Sequence, residues 1–338
     1  MKDKIVCVVG LGYVGLPLAN AFSKHLKVIG YDVDEAKINF FAQQKPLQTF
    51  LEKNIQLVDY EVLTDKEGFR IIGFGRFAGL VGAYNGFRAF GLKYDLFDLK
   101  PAHECEDLEE MLQHLDEVNL PPIKIALTGD GRVAQGVLEI LNHMNIMRVS
   151  PEAYLNDEEP EQAIYVQLLP RNYAKRIDGE SFELMHFFNN PTLYENSFHP
   201  FAEATDMLIA SAYWDPKSPV LFTADEMKED KFRIGVISDI TCDIEGSIPS
   251  TKRAATIANP FYDYNPQTGK LEEDFANPNN VSVEAVDNLP CELPKGASLD
   301  FGCNLIERVF PSLFGEDTDE IIARAAITKD GALTGKFS

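Results

Sequence analysis

The sequence predicts an α/β protein of two doubly wound domains, and three of its features carry that expectation. Its 338 residues are about twice the length of a typical single domain. A strand, a glycine turn, a helix and a second strand follow one another at the N-terminus, and the same order recurs from Ile123 onward. Beyond Ile123 short apolar runs alternate with helix-length connections, the pattern of parallel strands joined by crossovers. Together these point to two Rossmann-like domains, the second with a parallel sheet and the first incomplete or hybrid.

The first domain opens with Lys4–Gly10, a β-branched run suited to a buried strand, followed by a helix over Leu16–His25 and a strand over Lys27–Asp32. Polar residues Gln43–Leu51 lead to a further apolar run, Ile55–Tyr60, and to a turn at Asp65–Gly68. From Arg76 to Leu92, the residues Ala78, Gly79, Gly82, Ala83 and Gly86 recur at helical spacing. One face of that helix is nearly free of side chains and can approach a neighbour very closely. Glu106–Val118 reads as an amphipathic helix with Leu108, Met111, Leu112, Leu115 and Val118 on one side, stopped by Pro121-Pro122. The first domain is therefore expected over residues 1–120, with 1–40 forming one βαβ unit and 51–120 the remaining part.

The second domain, residues 121–298, begins with the strand Ile123–Thr128, a glycine turn, a helix to about Met144 and the strand Ile146–Val149. Ala163–Leu169, Met207–Ser211, Arg233–Ile240 and Ser282–Val286 are the remaining strand candidates. A last helix over Asp300–Leu313, within residues 299–338, is expected to return to the first domain.

Composition narrows the function classes. Apolar residues make up 45% and charged residues 25% of the chain, the balance of a globular protein. The net charge of −22 repels a phosphate backbone and disfavours nucleic-acid binding. No apolar run reaches the roughly 18 residues needed to cross a bilayer, and Ile5–Val9 runs into a glycine turn, unlike a cleavable signal. A cytoplasmic location with no membrane partner is the expectation. The five cysteines are scattered and never form a CxxC pair, and the six histidines lack metal-like spacing. Neither disulfides nor a metal are expected.

Two glycine fingerprints stand out. Gly10-Leu-Gly12-Tyr-Val-Gly15 follows a strand, opens a helix and precedes Asp32 at the end of the next strand. In such a motif Gly10 makes the tight turn, Gly12 admits a pyrophosphate, Gly15 lets helix pack on strand, and Asp32 binds a ribose hydroxyl pair. The second, Gly129-Asp-Gly131-Arg-Val-Ala134, has alanine in place of the third glycine and no acid at Val149-Ser150-Pro151, where its second strand ends. Glu152 and Ser150 are weak substitutes. The first has the better local grammar, whereas the second is followed by more βα units.

The first forty residues, with the run GLGYVGLPLA, resemble the start of a nucleotide-sugar 6-dehydrogenase of the UDP-sugar type. That family requires a cysteine nucleophile in a GFGGxCxPKD-like loop. Cys303, in Asp300-Phe-Gly-Cys-Asn304, lacks the glycine pair and the following Pro-Lys. From about Leu51 onward the chain is similar to the alanine dehydrogenase and transhydrogenase superfamily, and within it to NAD-dependent, lysine-forming saccharopine dehydrogenases. The segments LTGDGRVAQGVLEIL, VISDITCDIEGSIPST and AVDNLPCELPKGAS carry this resemblance, with LVDYEVLTDKEGFRIIGFGRFAGLVGAYNGFRAFG before them.

This resemblance implies NAD as cofactor, bound by Gly129, Gly131, Arg132, Val133 and Ala134 at the pyrophosphate. It implies Asp239, Ile240, Thr241 and Asp243 beside the nicotinamide, with Asp287, Asn288 and Leu289 in the loop that closes over it. Glu61 and Arg70 are the implied substrate-side residues, and Asp243 is the sole catalytic candidate. Read from residue type alone, Asp239 and Asp243 equally suit a turn cap, Glu61 a strand end, Arg70 the surface and Asn85 helix packing. Gly10, Gly12, Gly15 and Asp32 remain as a second nucleotide loop. Arg70, Arg76 and Arg171, in that declining order, are candidates for holding substrate carboxylates.

The implied activity is NAD-dependent oxidation at the C–N bond of an amino acid or opine such as saccharopine, a small-molecule reaction of lysine and amino-acid metabolism, with a homo-oligomer also allowed. Members of that family take an acid–base lysine and histidine from a segment without a counterpart here. Lys45 is the nearest lysine, no histidine lies between His25 and His103, and the chain ends earlier than expected. The expectation is thus a chimeric or rearranged chain, inactive if that segment is indispensable. The alternatives are a UDP-sugar 6-dehydrogenase and a non-catalytic NAD-binding protein.

Overall fold

The computed structural model describes residues 5–9, 27–31, 45–335 and 337. The chain forms two compact units, Met1–Phe74 together with Pro294–Ser338, and Gly75–Leu293. The boundary read at Pro121-Pro122 falls inside the second unit, because the helix with the small-residue face packs on that unit's own sheet.

In the first unit, β1 (Ile5–Val9) pairs in parallel with β2 (Lys27–Tyr31), Ile5 opposite Lys27 and Val9 opposite Tyr31. This is the pairing a βαβ unit requires. Helix α1 (Lys45–Glu52) follows. The apolar run Ile55–Tyr60 does not become a strand. Val58 makes one isolated bridge to Ala326, and Asp59 caps a 3-10 turn, Tyr60–Val62, by accepting from the Glu61 amide at 2.9 Å. Leu63, Ile71 and Ile72 find their partners in the C-terminal segment, packing with Phe301, Leu305 and Ile322. Phe74 stacks on Phe301 at 4.7 Å between centroids. The helix holding Phe301 spans Pro294–Arg308, beginning six residues before the expected Asp300.

The second unit begins with α2 (Gly75–Lys93) and α3 (Leu108–Asp116), the latter capped by Asp107. There follow β3 (Lys124–Thr128), α4 (Arg132–His143), β4 (Met147–Val149), α5 (Pro151–Asn156) and β5 (Ile164–Leu168). An unforeseen insertion comes next: α6 (Pro170–Tyr173), then β6 (Ala174–Arg176), α7 (Leu184–Asn189) and β7 (Tyr194–Asn196), closed by a small cluster of Ala174, Phe187 and Tyr194. Then come α8 (His199–Ala204), β8 (Met207–Ala210), β9 (Val236–Asp239), β10 (Phe261–Asn265), β11 (Lys270–Glu272) and β12 (Val281–Glu284).

The central sheet has the order β11-β10-β12-β9-β8-β3-β5-β4. Six strands run parallel, as the alternating pattern predicts, and β10 and β11 add an antiparallel edge. One placement departs from the simplest βαβ reading. The strand beside β3 is β5, and β4 is displaced to the edge. Burial explains the exchange: Ile164, Val166 and Leu168 of β5 lie in the core, whereas β4 exposes Met147 and Arg148.

The small-residue face of α2 allows the approach that its spacing predicts. A Cβ on Gly79 would collide with the Val133 backbone and one on Gly136 with the Arg76 carbonyl, so α2 and α4 touch backbone to backbone. One on Gly86 would reach Met207 Cε at 2.6 Å and Ser238 Cβ at 3.0 Å, which seats the same helix on β8 and β9.

Candidate functional site

Because the central strands are parallel and in register, Thr128, Ala210 and Asp239 end side by side, with Glu284 opposite Ser238. The chain winds from β3 to β5 and β4 on one side and to β8, β9 and β12 on the other. The topological switch point therefore lies between β3 and β8, where open α/β sheets take ligands.

At that point Gly129 has φ +94°, a left-handed conformation that favours glycine, and an added Cβ would sit 3.1 Å from Ala212 Cα. Gln167 Nε2 donates to its carbonyl at 2.8 Å. Gly131 is the N-cap of α4, with nothing within 4 Å of an added Cβ, so open space lies before the helix. Arg132, Val133 and Ala134 form the first turn, whose amides and dipole favour an anion. These observations fit the pyrophosphate of a dinucleotide. Gly10, Gly12, Gly15 and Asp32 lie outside the described residues.

A cavity of about 310 Å³, unforeseen from the sequence, adjoins this turn. Thr128 and Ala210 from the strand ends, Tyr173 and Phe187 from the insertion, and Tyr213 and Trp214 after β8 are among its lining residues. Trp214 Nε1 donates to the carbonyls of Ser218 and Pro219, both at 3.3 Å. The chain's one tryptophan directly after a strand was the available signal.

On the far side of the switch point, Asp239 is 1% exposed, and both of its carboxylate oxygens are occupied. Thr241 donates to Oδ1 at 2.7 Å and Thr251 to Oδ2 at 2.6 Å. Burial raises its pKa above the usual carboxylate range. Asp239 thus shapes the loop that contains Ile240, Thr241 and Asp243, while Asp243 itself is exposed. Asp287 and Asn288 are exposed after β12, and Leu289 is buried.

Beneath these loops lies a polar cluster that sequence patterning could not reveal. Ser238 Oγ lies 2.9 Å from the Gly82 carbonyl and 2.8 Å from Glu284 Oε2, and the Val286 amide donates to Glu284 Oε1 at 3.0 Å. Asn85 Nδ2 donates to Glu292 Oε1 at 2.9 Å, and His103 Nδ1 stands 3.6 Å from Oε2. Burial pushes Glu284 up to about 8 and raises Glu292.

The substrate-side candidates are distributed differently. Glu61 and Arg70 belong to the first unit and are exposed there. Arg76 is already committed, its guanidinium gripping Glu139 with two hydrogen bonds of 2.6 Å. That pair ties α2 to α4 and removes Arg76 from the candidates for holding a substrate. Arg171 is exposed just after β5. Cys303 lies exposed within the helix Pro294–Arg308 rather than in a glycine-rich loop.

Comparison with known proteins agrees with both sequence resemblances. Residues 4–67 match the NAD binding domain of the UDP-glucose/GDP-mannose dehydrogenase family. A UDP-N-acetyl-D-glucosamine 6-dehydrogenase of Pseudomonas aeruginosa is 58% identical over 38 residues, 11% of this chain and 9% of that one. The mitochondrial alpha-aminoadipic semialdehyde synthase of Mus musculus is 25% identical over 88% of this chain. The chain is thus similar to a nucleotide-sugar dehydrogenase family at its N-terminus and to a semialdehyde synthase over most of its length. It spans 37% of the length of the mouse protein. A solved transhydrogenase from Sinorhizobium meliloti, 14% identical with a TM-score of 0.51, covers 98% of this chain and 100% of its own and shares the fold. The expected α/β class, with its large and mostly parallel sheet, is borne out.

Proposed function

We propose that this chain is an NAD-dependent oxidoreductase acting on the C–N bond of an amino acid or opine, with saccharopine the leading substrate. The observation that carries the reading is the open glycine turn, Gly129–Gly131, before the helix at the switch point, with an aromatic cavity beside it. Gly129, Gly131, Arg132, Val133 and Ala134 would receive the pyrophosphate, and the cavity of Tyr173, Phe187 and Trp214 an adenine ring. Asp239, Ile240, Thr241, Asn288 and Leu289 would border the nicotinamide. When bound, NAD supplies the hydride acceptor. Glu61 and Arg70 are proposed to bind the substrate's charged groups, and Asp243, exposed at the strand-end loop, to move a proton. A cytoplasmic location and a homo-oligomer belong to the same proposal. Among the described residues no helix is long and apolar enough to cross a membrane.

A second reading, UDP-sugar 6-dehydrogenase, is favoured by the match over residues 4–67. A panel assay of NADH formation with saccharopine, alanine and UDP-sugars separates the readings. Turnover of saccharopine supports the first and turnover of a UDP-sugar replaces it. Binding of NAD without turnover of any of them marks a non-catalytic binder. For the cofactor loop, Gly131→Asp is expected to abolish NAD binding while Gly12→Asp leaves it intact, as read by NADH fluorescence titration. The reverse result overturns the assignment.

A further inference from the structure

The cluster at the ends of β9 and β12 contains a proton-counting problem. The hydroxyl of Ser238 has one hydrogen, yet it meets both the Gly82 carbonyl at 2.9 Å and Glu284 Oε2 at 2.8 Å. A carbonyl only accepts. If the Ser238 hydrogen points to Gly82, the contact with Oε2 is a hydrogen bond only when Oε2 itself bears a proton and donates it to Ser238. The other oxygen, Oε1, accepts from the Val286 amide at 3.0 Å. A protonated Glu284 satisfies all three contacts, whereas a carboxylate leaves Ser238 one donor for two acceptors.

The surroundings favour the neutral form. Glu284 and Ser238 are both fully buried. Among the described residues no basic side chain bonds to the Glu284 carboxyl. The ionisable groups facing it are chiefly acids: Asp239 on β9 and Glu292 on the turn after β12, both of which raise its pKa. On β10, Asp263 accepts from Ser282 at 2.7 Å. The Cys242 thiol donates to the Ala285 carbonyl at 3.1 Å and is itself pushed up to about 12. The cations of this region are directed elsewhere. On α2, Lys93 donates to Asn280 and Ser282, and Arg88 donates to the Leu99 carbonyl, while His103 faces Glu292.

We infer that Glu284 is kept as a neutral carboxylic acid and serves as a positioning residue for nicotinamide-nucleotide binding. Through Ser238 it joins β12 to β9 and to α2, and through the Val286 amide it turns the chain into Asp287–Leu289. Ionisation would add a buried charge beside two acids and break the Glu284-to-Ser238 donation, loosening both cofactor-side loops. The positioning role rests on the cofactor site proposed above, whereas the protonation state does not.

Two measurements on the full chain separate them. In NADH fluorescence titrations, wild type is expected to bind evenly up to pH 7 and about tenfold more weakly at pH 9, the loss set by the shrinking protonated fraction. Glu284→Gln, a permanently neutral analogue, is expected to match wild type at pH 7 and to keep its affinity at pH 9. Parallel loss in both proteins, or weak binding by Glu284→Gln at pH 7, overturns the positioning role. Should wild type bind no NADH at any pH, the cofactor reading and the positioning role fall together, and thermal unfolding still decides the protonation state. Glu284→Gln is expected to gain stability relative to wild type as pH rises from 5 to 8, and a constant difference refutes the neutral acid. Should Glu284→Gln not fold, the infrared band of a buried carboxylic acid in wild type at pH 7, fading toward pH 9, supports the inference and its absence refutes it.

Discussion

Glu284 illustrates how far a single residue's chemistry depends on where the chain puts it. Its position in Ser-Val-Glu-Ala-Val reads as one more strand residue, and only the folded neighbours turn it into an acid that holds its proton to about 8. For a carboxyl raised in the folded state, folding takes up a proton between the ordinary value and the raised one. The stability it confers is therefore complete at acid pH, is lost as pH rises through that interval, and is flat above it. At pH 7 the cost is about 3 kcal/mol on the scale of 1.4 kcal/mol per pH unit. Urea unfolding of wild type across pH 5 to 8 is expected to reveal this slope, and Glu284→Gln to remove it. Asn85 offers a companion test. Replacing it with alanine strips Glu292 Oε1 of its donor and is expected to cost roughly 1–3 kcal/mol by denaturant unfolding.

The helix spacing of small residues in α2 predicted a close approach, and the element meets its neighbours as that spacing requires. Gly79→Ala would push a methyl group into the Val133 backbone and is expected to destabilise the fold by roughly 1–3 kcal/mol or more. Gly302→Ala, in the helix Pro294–Arg308 with open space at its Cβ, is expected to stabilise by about 1 kcal/mol. Opposite shifts in thermal midpoint would verify the pair, and equal shifts would contradict the packing. Other elements were not legible. The run Ile55–Tyr60 has the apolar content of a strand, but its neighbours in the unit offer Val58 a single bridge and Asp59 caps a turn instead. The antiparallel β10 and β11 and the β6–β7 insertion carried no periodic signal strong enough to separate them from loops.

At the scale of the whole molecule, the arrangement of a glycine turn beside an aromatic cavity yields an optical test. Trp214 is the chain's one tryptophan and lines the cavity. Excitation of Trp214 is expected to sensitise emission from bound NADH, and Trp214→Phe to abolish that transfer. NADH that binds wild type without sensitised emission would place the nucleotide away from the cavity. The α/β class, the run of parallel strands and the glycine turn at Gly129–Gly131 are legible in the sequence, because side-chain periodicity and backbone turn demands are written locally. Tertiary structure alone decided that β5 rather than β4 lies beside β3, that Arg76 is spent on Glu139, and that Glu284 and Asp239 are buried among partners. Strand neighbours, ion-pair partners and the water around a carboxyl are set by residues distant in sequence. Competition for core burial fixes them, and no local pattern encodes its outcome.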